Sequence, residues 1–316
     1  MKMGDKRHKV QVLVSTYNGE RYLREQLDSL LNQTHSHFFI TIRDDGSTDG
    51  TKEIIHEYVA NNPSKIEVFF EHNTGVIRSF FKLMSNYVHE DTDYVCFCDQ
   101  DDVCLPDKLD RGVRTLAMTS SETALMYLTP TQMVDDLLQP INIWPPAPKR
   151  GASFFNALIE NIAVGATIMI NRSAVDMIKC YEPCYDKIIM HDWWVYLVIS
   201  AFGKVIYDHE PSIYYRQHQG NVVGGQIGLK DRFIKKWSNY LKHCENKIYW
   251  DQAKEFERCW GKHLSLELRS ELENFLLSNR GILSRIRYSL TTQLYRQSNL
   301  DNLMIRLMMI KGDILK

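Results

Sequence analysis

Two short acidic blocks carry the clearest chemical signal, Arg43-Asp44-Asp45-Gly46-Ser47-Thr48-Asp49-Gly50 and Cys98-Asp99-Gln100-Asp101-Asp102. Neighbouring carboxylates repel, so ionising several of them at the end of an apolar run is costly unless a cation or hydrogen-bond donors sit among them. The second block follows Tyr94–Cys98 and places three carboxylates within four residues. Hard oxygen ligands of that kind select Mg2+ or Mn2+, usually as one or two carboxylates completed by phosphate oxygens. In the first block a carboxylate can accept the imide N–H of a uracil or thymine ring, and its neighbour can take a ribose hydroxyl. Helix capping accounts for Ser47, Thr48, Asp49 and Asp102 without invoking function. It does not account for Asp44, Asp45, Asp99 and Asp101.

Five further segments have residue types suited to the same chemistry, each with a plainer structural reading. Ser15-Thr16-Tyr17-Asn18-Gly19 is either a capping turn or a loop that wraps a base, with Tyr17 available to stack; it lacks both GxGxxG and GxxxxGK[ST]. His191-Asp192-Trp193-Trp194 opens the apolar run to Phe202, so Asp192 is a helix cap, a general base, or both. Trp193 is a core residue or a sugar platform. In Tyr215-Arg216-Gln217-His218-Gln219-Gly220-Asn221 the lone histidine after a strand reads by itself as structural or solvated. Gly165-Ala166-Thr167 reads as tight strand packing or as a place where a substrate comes close, and Asn73, Gly75 and Arg78 as a wet helix start or a phosphate contact.

These residues need a scaffold that brings distant loops together. Val10–Ser15 into Glu20–Asn32, Phe38–Arg43 into Thr51–Asn61, and Tyr94–Cys98 into Pro106–Leu116 each run from a β-branched stretch through polar residues to a helical period. A further strand, Ile66–Glu71, leads to a helix over about Val76–Val88. Alternation of this kind predicts a doubly wound α/β sheet, in which ligands bind at the carboxyl ends of the strands. Both acidic blocks fall there. Four of the nine prolines, from Pro140 to Pro148, mark a surface loop; Val164–Asn171 reads as strand-rich, Trp193–Phe202 as a buried helix and Lys204–Tyr207 as a strand.

The 316 residues, 44% hydrophobic and 24% charged, suffice for a large core. Near-balance of 38 basic against 39 acidic residues argues against a nucleic-acid binder. From Gly228 to Lys316, however, 17 basic residues face 10 acidic ones. That shift divides the chain into 1–227, a catalytic domain, and 228–316, a basic helical region. The runs Ile282–Leu294 and Leu300–Ile310 are amphipathic and basic, suited to an anionic membrane surface or to packing on the rest of the chain. The seven cysteines show no CxxC, which predicts reduced thiols in cytosol, and no segment is long and apolar enough to span a membrane.

STYNGERYLREQLDSLLNQT, RDDGSTDGT and FCDQDDVCLPDKL, in that order and spacing, resemble glycosyltransferase family 2, the inverting nucleotide-sugar transferases of GT-A fold. NIAVGATIMINR, HDWWVYLVISAFGKV and YYRQHQGNVVG extend the resemblance over about residues 9 to 224, toward a bacterial rhamnosyltransferase-like branch. It implies a sugar donor, a dTDP- or UDP-sugar such as dTDP-rhamnose, held by Thr16, Tyr17, Asp44, Asp45, Arg78, Asp99 and Arg216. It further implies Mn2+ or Mg2+ on Asp99, Asp101 and His218, Asp192 as the base, Gly165 and Trp193 on the acceptor side, and a glycan or polyprenyl-linked acceptor at the inner face of the plasma membrane. The sequence departs from the related motifs at Cys104, where Trp is usual, and at Ala163-Val164, where polar residues are common. A metal-dependent nucleotide phosphohydrolase or nucleotidyltransferase, and a non-catalytic nucleotide-sugar-binding assembly protein, are the competing readings.

Overall fold

A computed structural model describes residues 8–217, 247–278 and 281–314. The chain packs as two compact units, and the expected boundary at 227/228 lies outside the described residues. The first unit holds the residues up to Ala147 together with Ala163–Cys180 and the stretch from Gly203. The second holds Pro148–Ile162, Tyr181–Phe202 and the C-terminal helices. Linear composition misses this because two internal segments pack with the C-terminal helices rather than with their chain neighbours.

In the first unit, β1 (Val10–Thr16), β2 (Phe38–Asp44), β3 (Ile66–Phe70) and β4 (Tyr94–Cys98) are parallel, in the order β4-β1-β2-β3. The antiparallel β9 (Met169–Asn171) then joins β4 to β6 (Leu125–Leu128), and β10 (Lys204–Tyr207) runs parallel to β6 at the edge. This is the doubly wound mixed sheet that the alternating pattern predicts. β1 is buried almost throughout, as a strand covered on both faces must be. Its one mid-strand polar residue, Gln11, is fully bonded: its Nε2 donates to Thr41 Oγ1 at 2.6 Å and to the Tyr87 carbonyl at 2.7 Å, and its Oε1 accepts from the His89 N–H at 2.8 Å and from Thr92 Oγ1 at 2.9 Å. A buried amide is tolerated only when satisfied in this way.

The covering helices are α1 (Leu23–Leu31), α2 (Thr51–Asn61), α3 (Val76–Asn86) and α4 (Lys108–Ala117), each within a few residues of the sequence reading. α1 buries Leu23, Gln26, Leu27 and Leu30, the spacing of one helix face. A second sheet, not anticipated from sequence, has the order β5-β11-β7-β8 and contains β5 (Val103–Cys104), β7 (Thr131–Val134), β8 (Pro140–Trp144) and β11 (Ile213–Arg216). Its strands run two to five residues, too short for a period to register. Pro140 opens the edge strand β8, where a missing N–H costs nothing, so the expected surface loop is in part a strand. Val164–Asn171 likewise divides, because Thr167 bonds back to the Val164 carbonyl through both its N–H (2.8 Å) and its Oγ1 (2.9 Å) and closes a 3-10 turn over Gly165–Thr167 before β9.

The second unit contains α5 (Phe154–Ala157), α7 (His191–Phe202), α8 (Ile248–Trp260), α9 (Leu266–Leu277), α10 (Ile282–Thr291) and α11 (Asn299–Lys311); α6 (Arg172–Lys179) belongs to the first. Phe256 of α8 is the ring at which Phe154, Trp194 and Phe202 meet, with centroids 5.6, 5.8 and 6.5 Å away. α7 is the buried helix expected from its composition.

Gly203, which leads into β10, allows the closest backbone approach in the first unit. A Cβ there would lie 2.1 Å from the carbonyl oxygen of Ala124 and 2.9 Å from its carbon. Main chain cannot rotate away, so Gly203→Ala is expected to cost about 1–3 kcal/mol and to lower the thermal midpoint by several degrees. An unchanged midpoint in a thermal melt would show that the β6–β10 edge yields freely.

Candidate active site at the carboxyl ends of the parallel strands

The chain runs from β1 outward through β2 and β3, then returns to β4 on the other side of β1. The switch point of the sheet therefore lies between β1 and β4, where ligands of open α/β sheets bind. The loops after β1, β2 and β4 carry Thr16 and Tyr17, Asp44 and Asp45, and Asp99 to Asp102. Hydrogen bonds lace these loops to one another. Thr16, paired with Asp44 in register, donates from Oγ1 to Asp44 Oδ2 at 3.0 Å, while the Ser47 N–H donates to Asp44 Oδ1 at 2.9 Å. Asn18 N–H donates to Ser47 Oγ at 2.9 Å, and the Thr48 N–H returns a bond to Asn18 Oδ1 at 2.9 Å. Across the switch point the Gln100 side chain brackets the Tyr17 backbone, accepting from its N–H at 2.8 Å and donating to its carbonyl at 3.0 Å. The Tyr17 ring itself is 47% exposed, as a stacking surface must be.

Asp44 and Asp45 are both buried and have distinct partners. Asp45 accepts from Arg43 Nη1 at 2.6 Å, from the Thr74 N–H at 2.8 Å and, through its other oxygen, from the Gly75 N–H at 2.8 Å. Its carboxylate thus fixes the loop between β3 and α3. Gly46 is at φ +84 and a Cβ there would approach the Asn73 nitrogen to 3.0 Å, which is why this turn takes glycine. Arg43 is fully buried and also donates to Ser79 Oγ (2.9 Å), Glu71 Oε2 (3.1 Å) and the His72 carbonyl (3.2 Å). Glu71 is held at about 2, below its ordinary 4.5, first by hydrogen bonds from Lys82 and Tyr87 and then by Arg43.

The β4–β5 loop is organised differently. Asp99 and Asp101 are half-buried, whereas Asp102 is 1% exposed. Burial, with the charges of Asp101 and Asp99, pushes the Asp102 carboxyl well above the usual carboxylate range. One of its oxygens accepts from the Arg216 N–H at 3.3 Å; the other is buried without a hydrogen-bond partner among the described residues. Three crowded carboxyls with one orphaned buried oxygen are a set of hard donors whose repulsion a divalent cation relieves, so these residues fit Mg2+ or Mn2+. Among the described residues, no three His, Cys, Asp or Glu side chains converge on a metal position by themselves. His218, the third expected ligand, lies outside the described residues.

The remaining expected residues have the following surroundings. Arg216, expected to face a diphosphate, is 2% exposed. Its guanidinium reaches Glu25 of α1, the Asp101 carbonyl (3.2 Å) and the Asp136 carbonyl (2.9 Å), and lies 4.6 Å from the centre of the Tyr22 ring. It is a clamp beneath the acidic loop. Trp193, expected beside the acceptor, donates its indole N–H to the Ala157 carbonyl at 2.6 Å and meets Tyr249 edge-on at 5.9 Å, so it is fastened inside the second unit. Gly165 is buried in its 3-10 turn, and Arg78 is exposed in the first turn of α3. Asp192 stands in the first turn of α7 in the second unit, largely buried, with Oδ1 accepting the Trp193 N–H at 2.6 Å. Beside it, burial lowers His191 to about 3, which keeps the imidazole neutral.

Sequence reasoning assigned no role to Arg43, Gln100, Glu25 or Lys108. The signal for Arg43 was a charge closing an otherwise apolar strand, FFITIRD. Lys108 is 2% exposed and spans from Cys104 Sγ (3.4 Å) to the Ala166 carbonyl (2.6 Å), joining the segment after the acidic loop to the 165–167 turn. Burial opposes its charge, but the sulfurs of Cys104, Cys96 and Cys98 outweigh it and raise the lysine above its ordinary value. The six described cysteines are unbridged.

The sequence profile described as Glycosyl transferase family 2 matches residues 11–178. The chain is 29% identical over 232 residues to "dTDP-rhamnosyl transferase RfbG" of Shigella flexneri, covering 70% of this chain and 76% of that protein. It is 29% identical over 170 residues to "Putative teichuronic acid biosynthesis glycosyltransferase TuaG" of Bacillus subtilis, covering 54% and 65%. Among solved structures, S. aureus TarS 1-349 in complex with UDP-GlcNAc superposes with a TM-score of 0.57 at 15% identity, covering 96% of this chain and 91% of that one. The mannosyltransferase PcManGT from Pyrobaculum calidifontis, in complex with GDP-Man and Mn2+, gives 0.55 at 14% identity, covering 97% and 86%.

The Glu71 contacts generate a pH dependence whose sign is fixed. A carboxylate depressed from 4.5 to about 2 contributes stability that is present above pH 4.5 and is lost as the pH falls toward 2. Glu71→Gln should therefore be less stable than wild type near neutrality, with the gap closing across that acid window. Thermal melts of both proteins from neutral pH downward check this; a gap that stays constant would mean the carboxylate is not held by Lys82, Tyr87 and Arg43.

Proposed function

Because the chain belongs to glycosyltransferase family 2 and has the GT-A fold, we propose that it moves a sugar from a nucleoside-diphosphate donor to an acceptor hydroxyl with inversion at the anomeric carbon. The observation that carries this is the lacing of three strand-end loops around the switch point, with Tyr17 exposed on one side and the Asp99–Asp102 loop on the other. The rhamnosyltransferase relative favours dTDP-rhamnose as donor, with a UDP-sugar as the alternative. The acceptor is a hydroxyl of a growing cell-surface glycan or of a polyprenyl-linked precursor, met on the cytoplasmic side of the membrane.

The roles we assign are these. Tyr17 stacks on the base, and Thr16, spent on Asp44, walls the pocket. Asp45 keeps accepting capacity on the oxygen that takes the Gly75 N–H, and that oxygen suits the base imide. Arg78, exposed at the start of α3, is suited to a phosphate. Asp99 and Asp101 would hold a divalent cation, which when bound would supply electrostatic stabilisation of a leaving diphosphate. Arg216 positions that loop from below. Asp192 takes the acceptor proton as the acceptor oxygen bonds to the anomeric carbon and the bond from that carbon to the diphosphate oxygen breaks. The first turn of α7 favours negative charge at Asp192.

Two experiments test these assignments. Nucleoside diphosphate at about 100 times its dissociation constant should stabilise the protein by roughly 2.7 kcal/mol. Thermal shifts with dTDP, UDP and GDP, each with Mn2+ or with chelator, should favour dTDP or UDP, and the metal-dependent part should vanish in Asp101→Ala. Asp192→Asn should keep the shift and lose about 100-fold to 10,000-fold in turnover. Near-normal turnover in Asp192→Asn would remove it as the base, and diphosphate release to water without any acceptor would favour a hydrolase. Gln100→Ala, which strips both bonds from the Tyr17 backbone, should weaken nucleotide binding by roughly tenfold at a near-normal melting temperature. Unchanged affinity in a titration would show that the bracket does not organise the base pocket.

A further inference from the structure

The second unit exposes aliphatic side chains in an unusual concentration. On α10, Leu283 is 79% exposed and Leu290 76%, with Ile282 and Ile286 beside them; on α11, Leu300, Leu303 and Leu307 are about half exposed, at 48%, 55% and 52%. Positions 283, 286 and 290, and 300, 303 and 307, each recur at the period of one helix face. The two helices are tied together as a pair. Arg285 donates to the Lys311 carbonyl at 2.7 Å, and Arg306 reaches the Ser289 carbonyl and, at 3.4 Å, that of Thr292. Both outward faces therefore belong to one fixed element.

Its charge has a single sign. α10 has no acidic residue and carries Arg285 and Arg287, the latter exposed. The acids of the neighbouring stretch are turned to other uses: Asp301 is buried, and Asp313 pairs with Lys311 at 3.0 Å. An aliphatic stripe flanked by cations, without aromatic residues in it, differs from the aromatic-rich centre of most protein interfaces and matches helices that lie in the headgroup plane of a bilayer. The helices have 10 and 13 residues, and no described helix is long and apolar enough to cross a membrane, so burial in the plane is the geometry open to them.

We propose that the paired α10–α11 face docks on an anionic lipid surface, with Leu283, Leu290, Leu303 and Leu307 entering the headgroup region and Arg287 meeting lipid phosphate. This names the membrane partner of the acceptor reading above and rests on that reading for which membrane is meant. Vesicle binding is measured without donor or acceptor, so its failure and the failure of the transferase assignment are separable.

The test is cosedimentation of the full chain with vesicles of phosphatidylcholine alone and of phosphatidylcholine mixed with phosphatidylglycerol. Wild type should pellet with the anionic vesicles, weaken by about fivefold on Arg287→Gln, and lose binding in raised salt. Leu283→Gln with Leu303→Gln should abolish pelleting while circular dichroism and nucleotide-induced thermal shifts match wild type. Absence of wild-type pelleting, or pelleting indifferent to these substitutions, would overturn the proposal. A concentration-dependent dimer that the double variant dissolves, with no vesicle binding, would overturn it in favour of a second copy of the chain.

Discussion

A guanidinium with no exposure, set at the end of a central parallel strand, is the constraint on which the strand-end loops of the first unit depend. Arg43 has to be neutralised where it sits, because an unpaired charge at that depth would cost several kcal/mol. Its partners come from separate places in the chain: Asp45 from the next loop, Glu71 and His72 from the end of β3, and Ser79 from α3. Ser79 in turn shares a hydrogen bond with Ser15 at the end of β1, 2.6 Å away. One buried charge therefore fixes three strand ends relative to one another. Asp45, held by Arg43, can then receive the Thr74 and Gly75 N–H groups and set the start of α3.

The parallel half of the fold was legible because its strands are long enough, and its helices amphipathic enough, for their periods to show. The second sheet was not, for a physical reason. Val103–Cys104 contributes two residues and Ile213–Arg216 four, and a strand that short derives its conformation from its neighbours rather than from its own pattern. Pro140–Trp144 was concealed by Pro140, which is tolerated at the strand's first position, and by the prolines that follow the strand. The division into units was hidden for another reason: Phe154, Trp194 and Phe202 meet Phe256 through ring packing, and an apolar helix does not announce in its own sequence which distant helix will cover it.

At the candidate site, residue types singled out strand-end loops that the fold brings together, whereas the partners of individual side chains were less legible. Arg216 had the type and chain position of a phosphate ligand, and its burial against Glu25 and two backbone carbonyls makes it a clamp. Trp193 had the type of a sugar platform, and its indole N–H is committed to Ala157. Gln100 stood in plain view between two aspartates, yet its bracket on Tyr17 depends on β1 and β4 being adjacent, which no local pattern states. Residue type predicted the chemistry available in each loop, and the tertiary fold decided which donor met which acceptor.

The two acidic blocks, so alike in sequence, differ in how the protein disposes of their charge, and that difference bears on function. The first is compensated from within: Asp45 has Arg43 and two backbone N–H groups, and Asp44 has Thr16 and Ser47. Such a block is rigid before any ligand arrives and suits the fixed geometry of a base and ribose. In the second, burial first and then the charges of Asp101 and Asp99 push the Asp102 carboxyl well above the usual range, and one Asp102 oxygen is buried without a described partner. The guanidinium beneath it, Arg216, has Glu25 as its ion-pair partner and gives other donors to backbone carbonyls. Carboxyls crowded around one buried oxygen without a described partner, on a backbone that Arg216 clamps, form a donor set of the kind that fits a divalent cation.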